Sequence, residues 1–246
     1  MRIDINCDMG EGNGNDKLVM PFISSANIAC GYHAGNIETM QEAIESCLKY
    51  NVAIGAHPSF LDKDNFGRKE INMPVDDLYE LVIQQLIIFS EVAASFNRKM
   101  VHVKPHGALY NLSAKDALVA NIIAKAVKNF DSSLILFGLS GSHSVYQAKQ
   151  LGLKTASEVF ADRTYQDDGS ITPRSQANAL IEDAEKAVLQ VLQMINAGTV
   201  TSVSGKVIPV LAETICIHGD GKEAGRFAKS IYEALIRNDI EIRKVQ

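Results

Sequence analysis

The stretch "MVHVKPHGALYN", residues 100–111, decides how the rest of the chain is read. Val101 and Val103 alternate with His102, Lys104 and His106. Successive side chains of a strand point to opposite faces, so a strand here has one apolar face and one face with three ionisable groups. In an open parallel sheet, helices cover both faces and the strands are almost continuously apolar. In a closed parallel barrel, one strand face packs under the helices and the other looks into the lumen, where polar groups from several strands can meet.

The same alternation recurs along the chain. β-rich runs fall at "IDINCD" (3–8), "SANIAC" (25–30), "VAIGAH" (52–57), "MVHVKP" (100–105), "LILFG" (134–138), "KTASEVF" (154–160) and "TICIHG" (214–219). Ile3, Ile5 and Cys7 oppose Asp4, Asn6 and Asp8, and Val52, Ile54 and Ala56 oppose Ala53, Gly55 and His57. Ile215 and Ile217 likewise oppose Thr214, Cys216, His218 and Asp220. Helical period marks Met40–Tyr50, Val75–Phe96, Lys115–Asn129, Ser175–Ala197 and Glu223–Arg237; Pro74 with Asp76 and Asp77, and Gly219 with Asp220, suit helix starts. Strand and helix in alternation imply parallel pairing through right-handed crossovers. The expected fold is an α/β, TIM-like (β/α) barrel of about seven parallel strands, one domain over residues 1–246. The stretch "TVTSVSGKVIPV" (199–210) fits a small hairpin or an extra strand around Ser204 and Gly205.

Hydrophobic residues at 46% and charged residues at 22% are ordinary globular composition, which excludes a disordered or collagenous chain. A net charge of -5 with no Lys/Arg block argues against nucleic acid or a membrane surface as partner. The start "MRIDINCDMG" passes straight into strand alternation without an apolar export segment, so a cytoplasmic location is expected. Cys7, Cys30, Cys47 and Cys216 form no C-x-x-C pair and read as reduced thiols, with Cys30 and Cys216 as small core residues.

The heaviest polar residues stand at strand C-terminal ends: Asp8 and Glu11, His33, His57, Lys104 and His106, Glu158 with Asp162 and Arg163, and His218 with Asp220. Active sites of parallel barrels lie at that rim. Histidines, carboxylates and a cation together suit hydrolysis at a carbonyl, with a base for water, an acid for the leaving nitrogen and a positive group for the oxyanion. Lys104 or Arg163 could instead hold a substrate carboxylate or phosphoryl oxygen. Asp8, His33 and His57 are candidate metal ligands. Asp4 and Asn6 are expected to pair with Lys104 or His102, and a rim ion pair is the plainer alternative for Glu158, Asp162 and Arg163. The turn "GLSGSHS" (138–144) precedes a helix and lacks the P-loop pattern, so an ordinary turn is expected.

In order along residues 3 to about 220, "DINCDMGEG", "SSANIACGYHAG", "AIGAHPSF", "NFGR", "HVKPHGALYN", "EVFADRTYQDDG" and "TICIHGD" resemble the signatures of the LamB/YcsF family. The resemblance implies a barrel related to the glycoside hydrolase and deacetylase group. It also implies ring opening of 5-oxoproline to L-glutamate coupled to ATP hydrolysis, with ATP and Mg2+ expected and with companion subunits B and C. Carried over by position, the catalytic set is Asp8, His57, Lys104, His106 and Glu158. The substrate-binding set is Glu11, Asn27, His33, Asp162, Arg163, His218 and Asp220. Asp8 or His57 is expected as base, His106 as proton donor, Lys104 opposite developing negative charge and Arg163 on the substrate carboxylate. Asn36 departs from the Asp usual after "HAG". The competing readings are a stand-alone metal-dependent deacetylase acting on an N-acyl sugar or peptide, and a non-catalytic 5-oxoproline-binding subunit.

Overall fold

A computed structural model describes residues 1–218 and 224–245. Among these residues ten strands run β1 (Arg2–Met9), β2 (Ser25–Ala29), β3 (Ala53–His57), β4 (His102–Val103), β5 (Ile135–Leu139), β6 (Lys154–Phe160), β7 (Thr199–Thr201), β8 (Val207–Pro209), β9 (Thr214–Ile217) and β10 (Glu241–Ile242). Seven of them, β1 to β6 and β9, pair in parallel, and β9 returns to β1 through Ile5 opposite Ile215, which closes the barrel. β10 adds alongside the start of β1. β7 and β8 form the separate antiparallel hairpin, turning at Gly205 with φ +89°.

The alternation sorts as the sequence demands. Ile3, Ile5, Cys7 and Met9 of β1 are buried outward under the helices. Asp4, Asn6 and Asp8 are equally buried, in a cluster with the lumen-facing residues of the other strands. Asp4 departs from expectation: its partners are the hydroxyls of Ser24, Ser25 and Thr214, not Lys104 or His102. Gly55 is where the lumen has no room for a side chain, because a Cβ there would lie 2.2 Å from Nε2 of His102. The His102 ring is thus laid across the barrel, stacked 4.2 Å from Phe137.

Among the described residues eight α-helices surround the strands: α1 (Asp16–Val19), α2 (Ile37–Tyr50), α3 (Val75–Ser95), α4 (Gly107–Lys115), α5 (Ala117–Phe130), α6 (His143–Gln150), α7 (Ala184–Ala197) and α8 (Ala224–Arg237). α2 begins earlier than its apolar period, since Asn36 accepts from the Thr39 N–H and Thr39 reciprocates in a capping box. Asparagine caps as well as aspartate, so the departure at this position leaves the helix start intact. The helix expected from Lys115 begins after Asp116, whose carboxylate caps Leu118 and Val119 and separates α5 from α4. The helix expected from Ser175 begins only at Ala184, capped by Asp183. Residues 175–183 turn back instead over the segment that follows β6, through Arg163 opposite Leu180 and the Ile181 N–H on the Asp162 carbonyl. The expected helix start at Gly219 and Asp220 lies outside the described residues. Among the described residues α3 has the length and composition of a membrane span; here Leu78, Val82, Leu86 and Phe89 pack into the core, and its buried Gln85 is hydrogen-bonded to the main chain of Ser59.

Candidate active site

Alternation delivers the central group of the site. Lys104 follows β4 and reaches across the lumen, where its ammonium lies 2.9 Å from Asp8 Oδ1 and 2.9 Å from Glu158 Oε1. It also donates to Asn6 Oδ1 at 3.2 Å and lies 3.1 Å from Cys216 Sγ. Burial alone would discharge the amine, but Asp8 first, then Cys216 and Glu158, keep it well above its ordinary range. Burial equally pushes the Asp8 carboxyl up, and His57 and Lys104 together outweigh it, holding Asp8 well below the usual range. Asp8 is therefore an ionised carboxylate almost out of water. Asn27 fixes it further, donating to Asp8 Oδ1 at 2.8 Å while its own oxygen accepts from His102.

Three imidazoles form the next layer. His33, His57 and His106 are all buried, and the rings of His33 and His106 stack at 3.8 Å. His57 Nδ1 donates to the Lys104 carbonyl at 2.7 Å, and His106 Nε2 donates to the Phe66 carbonyl at 3.0 Å. Burial lowers His33 and His106 well below their ordinary range, with neighbouring imidazoles adding to the effect. The "NFGR" turn makes this packing possible. A Cβ on Gly67, at φ +64°, would stand 2.8 Å from His33 Cβ and 3.0 Å from His106 Cδ2.

Above these groups opens a cavity of about 940 Å³, lined among others by Asp8, Glu11, His57, Lys104, His106, Arg163 and His218. On its far wall His218 gives Nδ1 to the Asp162 carboxylate at 2.8 Å, and Asp162 also takes the His218 N–H at 3.1 Å. This is the geometry by which a carboxylate orients an imidazole and leaves its other nitrogen for proton transfer. The turn of residues 139–143, which leads into α6, forms another part of the wall, as does the flap of residues 168–175.

Among the described residues, the expected site residues are thus brought to one rim, where several meet partners other than those expected. Glu158 and Asp162 do not pair with Arg163; they hold Lys104 and His218 respectively. Arg163 is buried, and its guanidinium donates to the carbonyls of Ala179 and Thr172. Lys104 donates to Asp8, Asn6 and Cys216 and is ion-paired with Glu158, so it secures two carboxylates rather than facing an incoming oxyanion. His106 is held neutral with Nε2–H committed to a carbonyl, which makes it a poor proton donor. Asn27 and Glu158 are fully buried beneath the cavity and position other groups. Cys30 and Cys216 are both buried core residues, as expected, and Cys216 in addition stands beside Lys104. The expected metal trio is divided: His33 and His57 cluster with Glu11 and His106, while Asp8 clusters with Cys216 and His218. In the second cluster the Lys104 ammonium already stands against both Asp8 and Cys216. Asp220 lies outside the described residues.

Reasoning from sequence missed Ser59, Tyr110 and Arg174. Ser59 accepts from His33. Tyr110 lies against Glu158, with burial and then that carboxylate pushing its phenol well above its ordinary range. Arg174 lines the cavity close enough to Arg163 to lower that guanidinium, after burial. Tyr110 alone had a legible signal, since it follows His106 by one helical turn in α4.

Fold and site define a (β/α) barrel whose rim holds an ionised carboxylate, a buried lysine and a carboxylate-oriented imidazole, the equipment of a hydrolase. The LamB/YcsF family profile matches residues 3–246, and the chain belongs to that family. It is 48% identical over 98% of its length, and 98% of the relative's, to the 5-oxoprolinase A subunit of Bordetella parapertussis. The solved lactam utilization protein from Thermus thermophilus superposes with TM-score 0.93 at 36% identity, each chain covered in full. The peptidoglycan deacetylase PdaC from Bacillus subtilis shares the fold at TM-score 0.52 and 11% identity, over 99% of this chain and 87% of that one.

Proposed function

We propose that this chain is the A subunit of a 5-oxoprolinase, opening the lactam ring of 5-oxoproline to L-glutamate with ATP hydrolysed in step, together with companion subunits B and C. The observation that carries the hydrolytic reading is Asp8, kept ionised by His57 and Lys104 at the edge of the cavity. The relatives' name supplies the substrate.

A five-membered lactam is a poor electrophile, and transfer of a phosphoryl group from ATP to its oxygen activates the ring carbon. ATP with Mg2+ enters this scheme as the co-substrate of the assembled complex, because the chain has no P-loop pattern. Asp8 accepts the proton of the attacking water, and His218, steadied by Asp162, gives one to the ring nitrogen as the C–N bond breaks; the γ-glutamyl phosphate so formed is hydrolysed by a second water to glutamate and phosphate. Arg174 on the cavity wall supplies positive charge for the substrate carboxylate, while Arg163 holds the neighbouring segment through the carbonyls of Ala179 and Thr172. Coexpression with and without the companion subunits tests the scheme, glutamate and ADP being measured from 5-oxoproline and ATP. Release of both in the full mixture and its loss in Asp8→Asn support it; no release in any combination refutes it.

A further inference from the structure

Hydrogen bonding fixes the protons of the imidazole cluster and leaves it electrostatically incomplete. The Lys104 and Phe66 carbonyls only accept, so His57 carries its proton on Nδ1 and His106 on Nε2. Ser59 spends its single hydroxyl proton on the Phe60 carbonyl, so it must accept from His33 Nδ1 at 2.9 Å. With one proton per ring, each therefore turns a bare nitrogen inward. His57 Nε2 faces His106 Nδ1 at 2.9 Å, and His33 Nε2 faces Glu11 Oε1 at 3.4 Å, with Glu11 Oε1 also 3.7 Å from His106 Nδ1. These are lone pairs directed at lone pairs in a site almost without water. One proton on His57 Nε2 relieves one contact, to His106 or to Asp8 Oδ2 at 3.3 Å, and leaves the contact between His33 and Glu11 unrelieved.

We propose that Glu11, His33, His57 and His106 form a binding site for one divalent first-row transition ion, zinc by its donor chemistry. The four donor atoms lie within 4.8 Å of one another, and donors about 2.0–2.2 Å from a tetrahedral ion stand about 3.3–3.5 Å apart. Each imidazole has its other nitrogen anchored to an oxygen, the outer shell that orients metal-bound histidines. Three nitrogens and one carboxylate oxygen suit zinc and cobalt, and exclude calcium and magnesium by donor type. The site does not rest on the lactam-opening reading, and its test uses no substrate, so either can fail alone.

The tag-free full-length chain is stripped with a chelator and titrated with cobalt(II), whose tetrahedral complexes absorb visibly, and then with zinc to displace it. One saturable equivalent per chain is expected. Ser59→Ala is expected to weaken uptake about 10–100-fold by freeing the His33 ring. His33→Ala and Glu11→Gln are expected to abolish saturable uptake while far-ultraviolet circular dichroism stays native; Glu11→Gln keeps the side-chain shape should the alanine variant misfold. A natively folded wild-type chain with no saturable cobalt band overturns the proposal, as does uptake undiminished in a folded Glu11→Gln variant.

Discussion

Asp4 offers a measurement of how much the polar lumen costs. Its carboxyl is buried at the start of the barrel, and that burial raises its pKa from 3.8 to about 6 against the opposing hydrogen bonds from Ser25, Thr214 and Ser24. A carboxyl whose pKa is higher in the folded chain stabilises the fold fully below the unfolded value of 3.8, and that stabilisation is lost as pH rises through about 6. The full swing is about 3 kcal/mol, of which about 1.4 kcal/mol falls between about pH 5 and pH 8. Asp4→Asn removes the titration. Urea unfolding of both proteins across that range isolates this one group, because every other titrating side chain is common to the pair. The free-energy difference, variant minus wild type, is expected to move in the variant's favour by about 1.4 kcal/mol towards the alkaline end, whatever its absolute value. A flat difference, or one that moves towards the wild type, would show that Ser24, Ser25 and Thr214 stabilise the carboxylate enough to cancel its desolvation.

Lys104→Met leaves Asp8 and Glu158 facing each other without their shared cation and should destabilise the chain by about 3–5 kcal/mol in chemical denaturation; adding Glu158→Gln should recover part of it. Gly55→Ala drives a methyl into the His102 ring and should cost about 1–3 kcal/mol, relieved in the double variant with His102→Ala. Asp162→Asn should lower kcat for 5-oxoproline opening in the assembled complex more than it raises KM, because it misorients His218; a change in KM alone would remove His218 from proton transfer.

The barrel was legible because period-2 alternation is a local property, repeated in β1, β3, β4 and β9. Helix bounds were less legible where a side chain, rather than periodicity, decides them. Asp116 breaks an otherwise continuous helical period by capping α5, and residues 175–183 have helix-forming composition yet serve as a flap held by Leu180 and Ile181. Neither outcome follows from intrinsic preference, since in both cases a contact distant from the apolar repeat outweighs propensities of a few tenths of a kcal/mol per residue. α6 shows the same limit: Tyr146 is exposed, the buried side chains are Ser144, Val145 and Ala148, and its helical turn rests on packing against α5, β5 and β6.

For the site, alternation picks out residues that the fold gathers at one rim but not the partners each of them meets there, and the reason is physical. Alternation says which face a side chain takes, but a role depends on partners from other strands at distances no spacing encodes. Lys104 read as a cation awaiting an anion; in the lumen Asp8 and Glu158 already surround it, so its charge is consumed in pairing with those carboxylates. Arg163 read as a free fork, and the flap over it turns the fork onto the carbonyls of Thr172 and Ala179. His218 was one polar residue among several until Asp162, 56 positions away, gave it an orientation. The roles that moved belong to residues whose charge is satisfied inside the fold, and the roles that remain open to a ligand fall to Asp8 and His218, whose partners fix their protonation or orientation while leaving them on the cavity wall.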